Sequence, residues 1–143
     1  MKFFIATDHA GVAIKPDIIK MLQNIGHEVI DLGPMNDSRV DYPDYAHKLC
    51  LEVLADTQGA HGILICGTGI GMSLSANKHV GIRAALCHDA YTASMSRAHN
   101  DANVLCFGQR VVGLGVAESM LHAWCNTNFE GGRHAARVEK IEL

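Results

Sequence analysis

The chain has 143 residues, 48% of them apolar and 19% charged, with a net charge of −3 when its nine histidines are neutral. This is enough for one domain with one full-sized core, spanning 1–143, and the slight acidity gives no global field for nucleic acid or an anionic membrane, so neither is expected as a partner and any anion site must be local. No apolar run is long enough to span a bilayer, Asp8 arrives too early for a signal-peptide core, and five cysteines without a CxxC pair suit reduced thiols in a cytoplasm better than a disulfide scaffold.

Taken in order, Phe3-Phe4-Ile5-Ala6-Thr7 reads as a first buried strand. Residues 10–25 have helical spacing, with Ile14, Ile18, Ile19, Leu22 and Ile25 on one face, Pro16 in the first turn and Gly26 as the stop. Residues 28–32 form a second strand, and 33–43 a polar loop with two prolines. Helical spacing resumes over 45–54 through Ala46, Leu49, Val53 and Leu54. The run 62–66 is a third strand ending in Cys66, followed by a glycine loop and a short helix over 72–77. A fourth strand at 83–87, a helix over about 90–99 and a fifth strand at 104–107 come next. The last long helix covers 112–126, with Val116, Met120, Leu121 and Trp124 on its buried side. Gly131-Gly132 breaks the chain before a basic tail. Five strands alternating with helices predict an α/β fold: a parallel sheet covered on both faces, with right-handed crossovers.

In such a sheet, ligands bind beyond the carboxyl ends of the strands. The residues found there are Asp8-His9-Ala10-Gly11, Cys66-Gly67-Thr68-Gly69, His88-Asp89 and Gly108-Gln109-Arg110. Acids, imidazoles, a thiol and an arginine on one edge read as an active-site rim. Cys66 is either a buried structural cysteine or a reactive one; a strand end beside glycines and a helix N-terminus suits a thiolate. The loop Gly67-Thr68-Gly69-Ile70-Gly71 lacks the lysine of a Walker loop, the spacing of a dinucleotide fingerprint and the closing arginine of a cysteine phosphatase. A nest of N–H groups beside a thiol suits a developing oxyanion instead.

Arg133 and Arg137 are four apart, so on a helical turn they form either a phosphate clamp or a solvated basic end. His9 and Arg110 could complete that anion site. His99 can exchange protons near neutral pH, or simply cap its helix. No HxxxH or HExxH pattern is present, so no metal is expected.

Several motifs together, in order and nearly end to end, resemble type B ribose-5-phosphate isomerase. They are Asp8-His9-Ala10-Gly11, Asp41-Tyr42-Pro43-Asp44-Tyr45-Ala46, the stretch Gly62 to Met72, Ala76-Asn77-Lys78, Arg97-Ala98-His99-Asn100 and Gly131-Gly132-Arg133-His134. The wider family includes allose-6-phosphate and galactose-6-phosphate isomerases. The resemblance implies a three-layer α/β/α Rossmann-like fold with a five-stranded parallel sheet. It also implies a homodimer with shared active sites (or a tetramer), no cofactor and no metal. The implied reaction is the interconversion of D-ribose 5-phosphate and D-ribulose 5-phosphate through an enediolate, a step of the non-oxidative pentose phosphate pathway.

By position, the resemblance makes Cys66 the base that moves the proton between C1 and C2. Relatives without this cysteine use a glutamate where Met72 stands here. Thr68 would bond the reacting oxygens, and the N–H groups of Gly67, Gly69, Ile70 and Gly71 would hold the enediolate. His99 would assist ring opening, with Asp8 on the sugar hydroxyls and Asn100 in contact with the substrate. His9, Arg110, Arg133 and Arg137 would bind phosphate. His99, Asn100 and Arg110 are implied to reach the site from the partner subunit. Two other readings remain: the same chemistry on a six-carbon sugar phosphate, and a sugar-phosphate-binding protein without catalysis. A thiol redox role lacks a partner cysteine nearby.

Overall fold

The computed structural model describes residues 1–143. In chain order it contains β1 (Lys2–Thr7), α1 (Lys15–Asn24), β2 (Glu28–Asp31), α2 (Tyr42–Ala55), β3 (His61–Cys66), α3 (Ile70–Ala76), β4 (Ala84–Leu86), α4 (Ala90–Asn100), β5 (Val104–Gly108), α5 (Leu114–Cys125) and α6 (Arg133–Glu139). All neighbouring strands pair parallel, in the order β2-β1-β3-β5-β4.

Side chains alternate across a strand, so each central strand feeds two cores. Phe3, Ile5, Ile63, Ile65, Leu105 and Phe107 pack with Ile18 and Leu22 of α1 and with Met120, Leu121 and Trp124 of α5. Phe4, Ala6, Leu64, Cys66, Val104 and Cys106 pack with Leu49 and Val53 of α2 and with Met72 and Ala76 of α3. The sheet is therefore the middle of three layers, as the near-continuous apolar runs of its strands require. The helices after β1 and β3 pack on opposite faces, so the carboxyl ends of these two adjacent strands border a crevice.

The fifth strand does not add at the edge. β5 lies between β3 and β4, and all five of its residues are buried, whereas the three residues of β4 are half-buried. The edge is blunted by a side chain acting as a strand neighbour. Asn77 Nδ2 donates to the Ala84 carbonyl at 2.9 Å, and the Ala84 N–H donates to Asn77 Oδ1 at 2.8 Å.

Several helix limits differ from the sequence expectation. α1 begins at Lys15, not near residue 10, because residues 9–14 turn under the carboxyl edge; Pro16 does fall in its first turn. α2 starts at Tyr42 with Pro43 in the first turn, where proline's missing N–H costs nothing. α3 starts at Ile70, directly after the glycine loop. Val116 is 40% exposed and lies off the buried face of α5. The basic tail forms a regular helix, α6.

Candidate active site

Cys66 is the last residue of β3, and the chain leaves it through Gly67-Thr68-Gly69 into α3. Gly69 has φ of +80°, a left-handed conformation, and a Cβ there would lie 2.9 Å from Phe107 Cα. A Cβ at Gly108 would lie 2.5 Å from Thr68 Cα. Glycine at both positions lets the loop fold flat across the end of β5. Its tightness brings the Gly69 N–H to 3.0 Å from the Cys66 sulfur, to which it donates. Cys66 is 5% exposed, while Thr68 beside it is open to solvent.

The other cysteines behave differently. Burial pushes the thiol of Cys50 up to about 12 and that of Cys125 up to about 11, and it also raises Cys87 and Cys106. The Cys50 and Cys87 thiols act as hydrogen-bond donors. Cys66 is the thiol whose sulfur accepts a backbone N–H, and a sulfur carrying negative charge gains most from that contact.

The loop corrects one expectation. The N–H groups of Gly67, Gly69, Ile70 and Gly71 do not all face a substrate. That of Gly69 is engaged by the thiol, and that of Ile70 donates to Thr68 Oγ1 at 3.2 Å. The tight turn uses two donors to hold itself.

Around this loop lie three more of the expected residues. Asp8 follows β1, is 7% exposed, and accepts the Ala10 N–H on Oδ1 at 2.9 Å. His9 Nδ1 is 3.2 Å from the Val40 carbonyl oxygen, at the side of a cavity of ≈ 420 Å³ lined by Arg39, Asp41, Asp44, Tyr45 and Lys48. Within its own chain the Arg110 guanidinium lies against Gly67, 3.1 Å from where a Cβ would stand, and the backbone N–H of Arg110 donates to the Gly67 carbonyl at 3.0 Å.

His99, Asn100, Arg133 and Arg137 are elsewhere. The α4 helix is capped at the carboxyl edge, where Asp89 Oδ1 accepts the Thr92 N–H at 2.7 Å. It then runs 11 residues back along the sheet, roughly 16 Å at 1.5 Å per residue. His99 and Asn100 are its last two residues, at the amino end, where the Asn100 carbonyl accepts from Arg83 Nε at 3.2 Å. The α6 helix packs at that same end. Its Arg133 and Arg137 are exposed, pair with no acid and flank the buried His134. Within one chain Arg133 and Arg137 therefore lie with His99 and not with His9.

Compared with known proteins, residues 3–141 match the family model described as Ribose/Galactose Isomerase. The chain belongs to the ribose/galactose isomerase family. It is 49% identical over 140 residues to "Ribose-5-phosphate isomerase B" of Escherichia coli, covering 98% of this chain and 93% of that one. Its structure is similar to that of Clostridium thermocellum ribose-5-phosphate isomerase B, with a TM-score of 0.95 and 49% identity over 99% of this chain and 95% of the other. Trypanosoma brucei type B ribose 5-phosphate isomerase gives a TM-score of 0.93 and 45% identity, covering 98% of this chain and 95% of that one.

The two groups thus lie at opposite ends of one sheet. The carboxyl end carries a thiol, a carboxylate and backbone donors, and the amino end carries imidazoles and two arginines that pair with no acid. Three neighbours of these groups were not singled out by sequence reasoning. The Tyr42 ring packs on the first turn of α3, where a Cβ at Gly71 would lie 2.7 Å from it. Glu130 and His134 bracket His99, and no spacing pattern linked them to it.

Proposed function

We propose that this protein interconverts D-ribose 5-phosphate and D-ribulose 5-phosphate, with Cys66 as the base. The contact between the Gly69 N–H and the Cys66 sulfur, at 3.0 Å beside the buried Asp8, carries this reading. A thiolate held by that N–H takes the C2 proton of the open-chain aldose, leaving an enediolate. The same group returns the proton to C1, while the hydroxyl proton moves from O2 to O1, and the ketose results. One base suffices because the enediolate is held still between the two transfers. Free N–H groups of the loop and the Thr68 hydroxyl stabilise the developing oxyanion, the larger share of barrier lowering in such sites.

Ribose 5-phosphate is mostly cyclic, so the ring must open first. His99 is the group for that step: it moves the C1 hydroxyl proton to the ring oxygen as the C1–O bond breaks. Since His99 and Cys66 sit at opposite ends of one chain, this reading requires a homodimer. The amino end of one copy then meets the carboxyl edge of the other, bringing His99, Asn100, Arg133 and Arg137 to Cys66, Asp8 and His9. Two unpaired guanidinium groups then hold the phosphate and orient the carbon chain.

A metal-free isomerase assay with ribose 5-phosphate, allose 6-phosphate and galactose 6-phosphate tests the proposal. Ribose 5-phosphate should have the highest kcat/KM, and Cys66→Ala should abolish turnover while sugar phosphate still binds. A higher kcat/KM on a six-carbon substrate would reassign the substrate, and near-normal turnover by Cys66→Ala would remove the base.

A further inference from the structure

Two side chains beside His99 have no part in the reaction described above. The rings of His99 and His134 stack with centroids 4.2 Å apart and planes 13° apart. Glu130 Oε2 stands 3.8 Å from His99 Nε2 and 3.7 Å from His134 Nε2. His134 is 6% exposed, and its Nε2 has no hydrogen-bond partner. The backbone builds this group deliberately. The Glu130 N–H donates to the Ala98 carbonyl at 3.0 Å, tying the segment before α6 to the last turn of α4.

The three donor atoms lie within 4.8 Å of one another, close enough to raise the question of a metal. The stack argues against one. An imidazole lone pair lies in its ring plane, so two nearly parallel rings do not aim both at one ion. Parallel rings instead fix each other's planes.

The charges around the pair assign different roles to the two rings. His134 faces His99, Glu130, Arg133 and Arg137. Burial, then His99 and the arginines, lower its pKa below the ordinary imidazole value, with Glu130 opposing them. His134 is therefore a neutral, buried platform at neutral pH. On α4 itself, Arg97 and Asp101 pair with each other at 3.1 Å. His99, with 38% of its side chain exposed, is the ring that meets a substrate.

We propose that His134 and Glu130 are positioning residues for His99: the buried ring sets the plane of the His99 imidazole, and the carboxylate fixes which of its edges meets the sugar. This rests on the reading of His99 as the group that opens the ring. The step is a transfer of one proton from the C1 hydroxyl to the ring oxygen. Its efficiency depends on the imidazole reaching both oxygens in turn, so misorientation costs rate rather than binding.

The test separates ring opening from proton transfer at carbon. D-Ribulose 5-phosphate has no ring, since its O5 carries the phosphate. Exchange of its C1 hydrogen with D2O therefore reports the Cys66 step alone. His134→Ala and Glu130→Gln should each lower kcat on ribose 5-phosphate about tenfold. The same variants should keep C1 exchange within about twofold, which also shows that the site is folded. His134→Phe retains a stacking ring and should lie nearer to wild type than His134→Ala. Equal loss of both activities, or loss of neither, overturns the proposal. Without substrate, the His99 ring protons should show an upfield ring-current shift that His134→Ala removes and His134→Phe keeps. A wild-type protein inactive on ribose 5-phosphate refutes the isomerase reading and leaves the stack standing. A His99 signal unchanged by His134→Ala refutes the stack whatever the substrate.

Discussion

The Gly69 N–H donates to the Cys66 sulfur at 3.0 Å, and this contact exists because Gly69 holds φ at +80° against the backbone of Phe107. Any side chain at Gly69 meets both obstacles at once. Gly69→Ala should destabilise the fold by about 1–3 kcal/mol, the cost of a non-glycine residue in that conformation plus the close approach. It should also lower kcat far more than it raises KM, because the loop must shift to seat a Cβ and so carries the backbone N–H of residue 69 away from the thiol, while the arginines of α6 are untouched. Denaturant melts and steady-state kinetics measure the two effects.

Arg133 and Arg137 stand one turn apart on α6, exposed and without acidic partners. Removing one charge-assisted contact to a phosphate weakens binding by about ten- to a hundredfold. Arg137→Ala should therefore raise KM for ribose 5-phosphate by that factor, and raise the inhibition constant of inorganic phosphate alongside it, with a smaller change in kcat. An unchanged KM would make α6 a solvated basic end.

A stability prediction follows from His61. Its Nδ1 accepts the Trp124 Nε1–H at 2.8 Å, and burial, helped by Arg97, lowers its pKa to about 4. Since the folded form resists the proton, the unfolded chain binds more protons between the ordinary imidazole value near 6.5 and about 4. Stability should be flat above that window and fall with pH through it, by up to roughly 3 kcal/mol from this residue. His61→Asn, which retains an acceptor for Trp124, should remove that part of the slope in melts recorded from pH 7 to 4.

The sequence carried the local parts of this account well. The runs 3–6, 63–66 and 104–107 at the heart of β1, β3 and β5 are apolar without a break because both faces are covered, and Cys66 stood out as a thiol at a strand end. What escaped it is what depends on distant partners. Nothing local says that β5 slips between β3 and β4, since a crossover of similar length could place it on the edge. Nor could spacing along the chain reveal that His99 stacks on His134, 35 positions later, or that both lie at the end of the sheet away from Cys66. The resemblance implied site residues by position and sent His99, Asn100 and Arg110 to the partner's site, but that Arg133 and Arg137 lie beside His99, and Arg110 beside Gly67, came only from the three-dimensional structure. Gly69 shows the same limit: the glycine was visible, but its use of a backbone donor to hold the thiol was not.

The central claim is that a working site joins the Cys66 end of one copy to the His99 end of another. Mixing two inactive variants, Cys66→Ala and His99→Ala, under conditions of subunit exchange tests it directly. Half of the resulting dimers are mixed, and each mixed dimer contains one site with both residues intact. The account predicts recovery of about one quarter of wild-type activity. If mixed dimers form, as shown by mass-tagged subunits, and activity stays at the sum of the two variants alone, the shared site is contradicted.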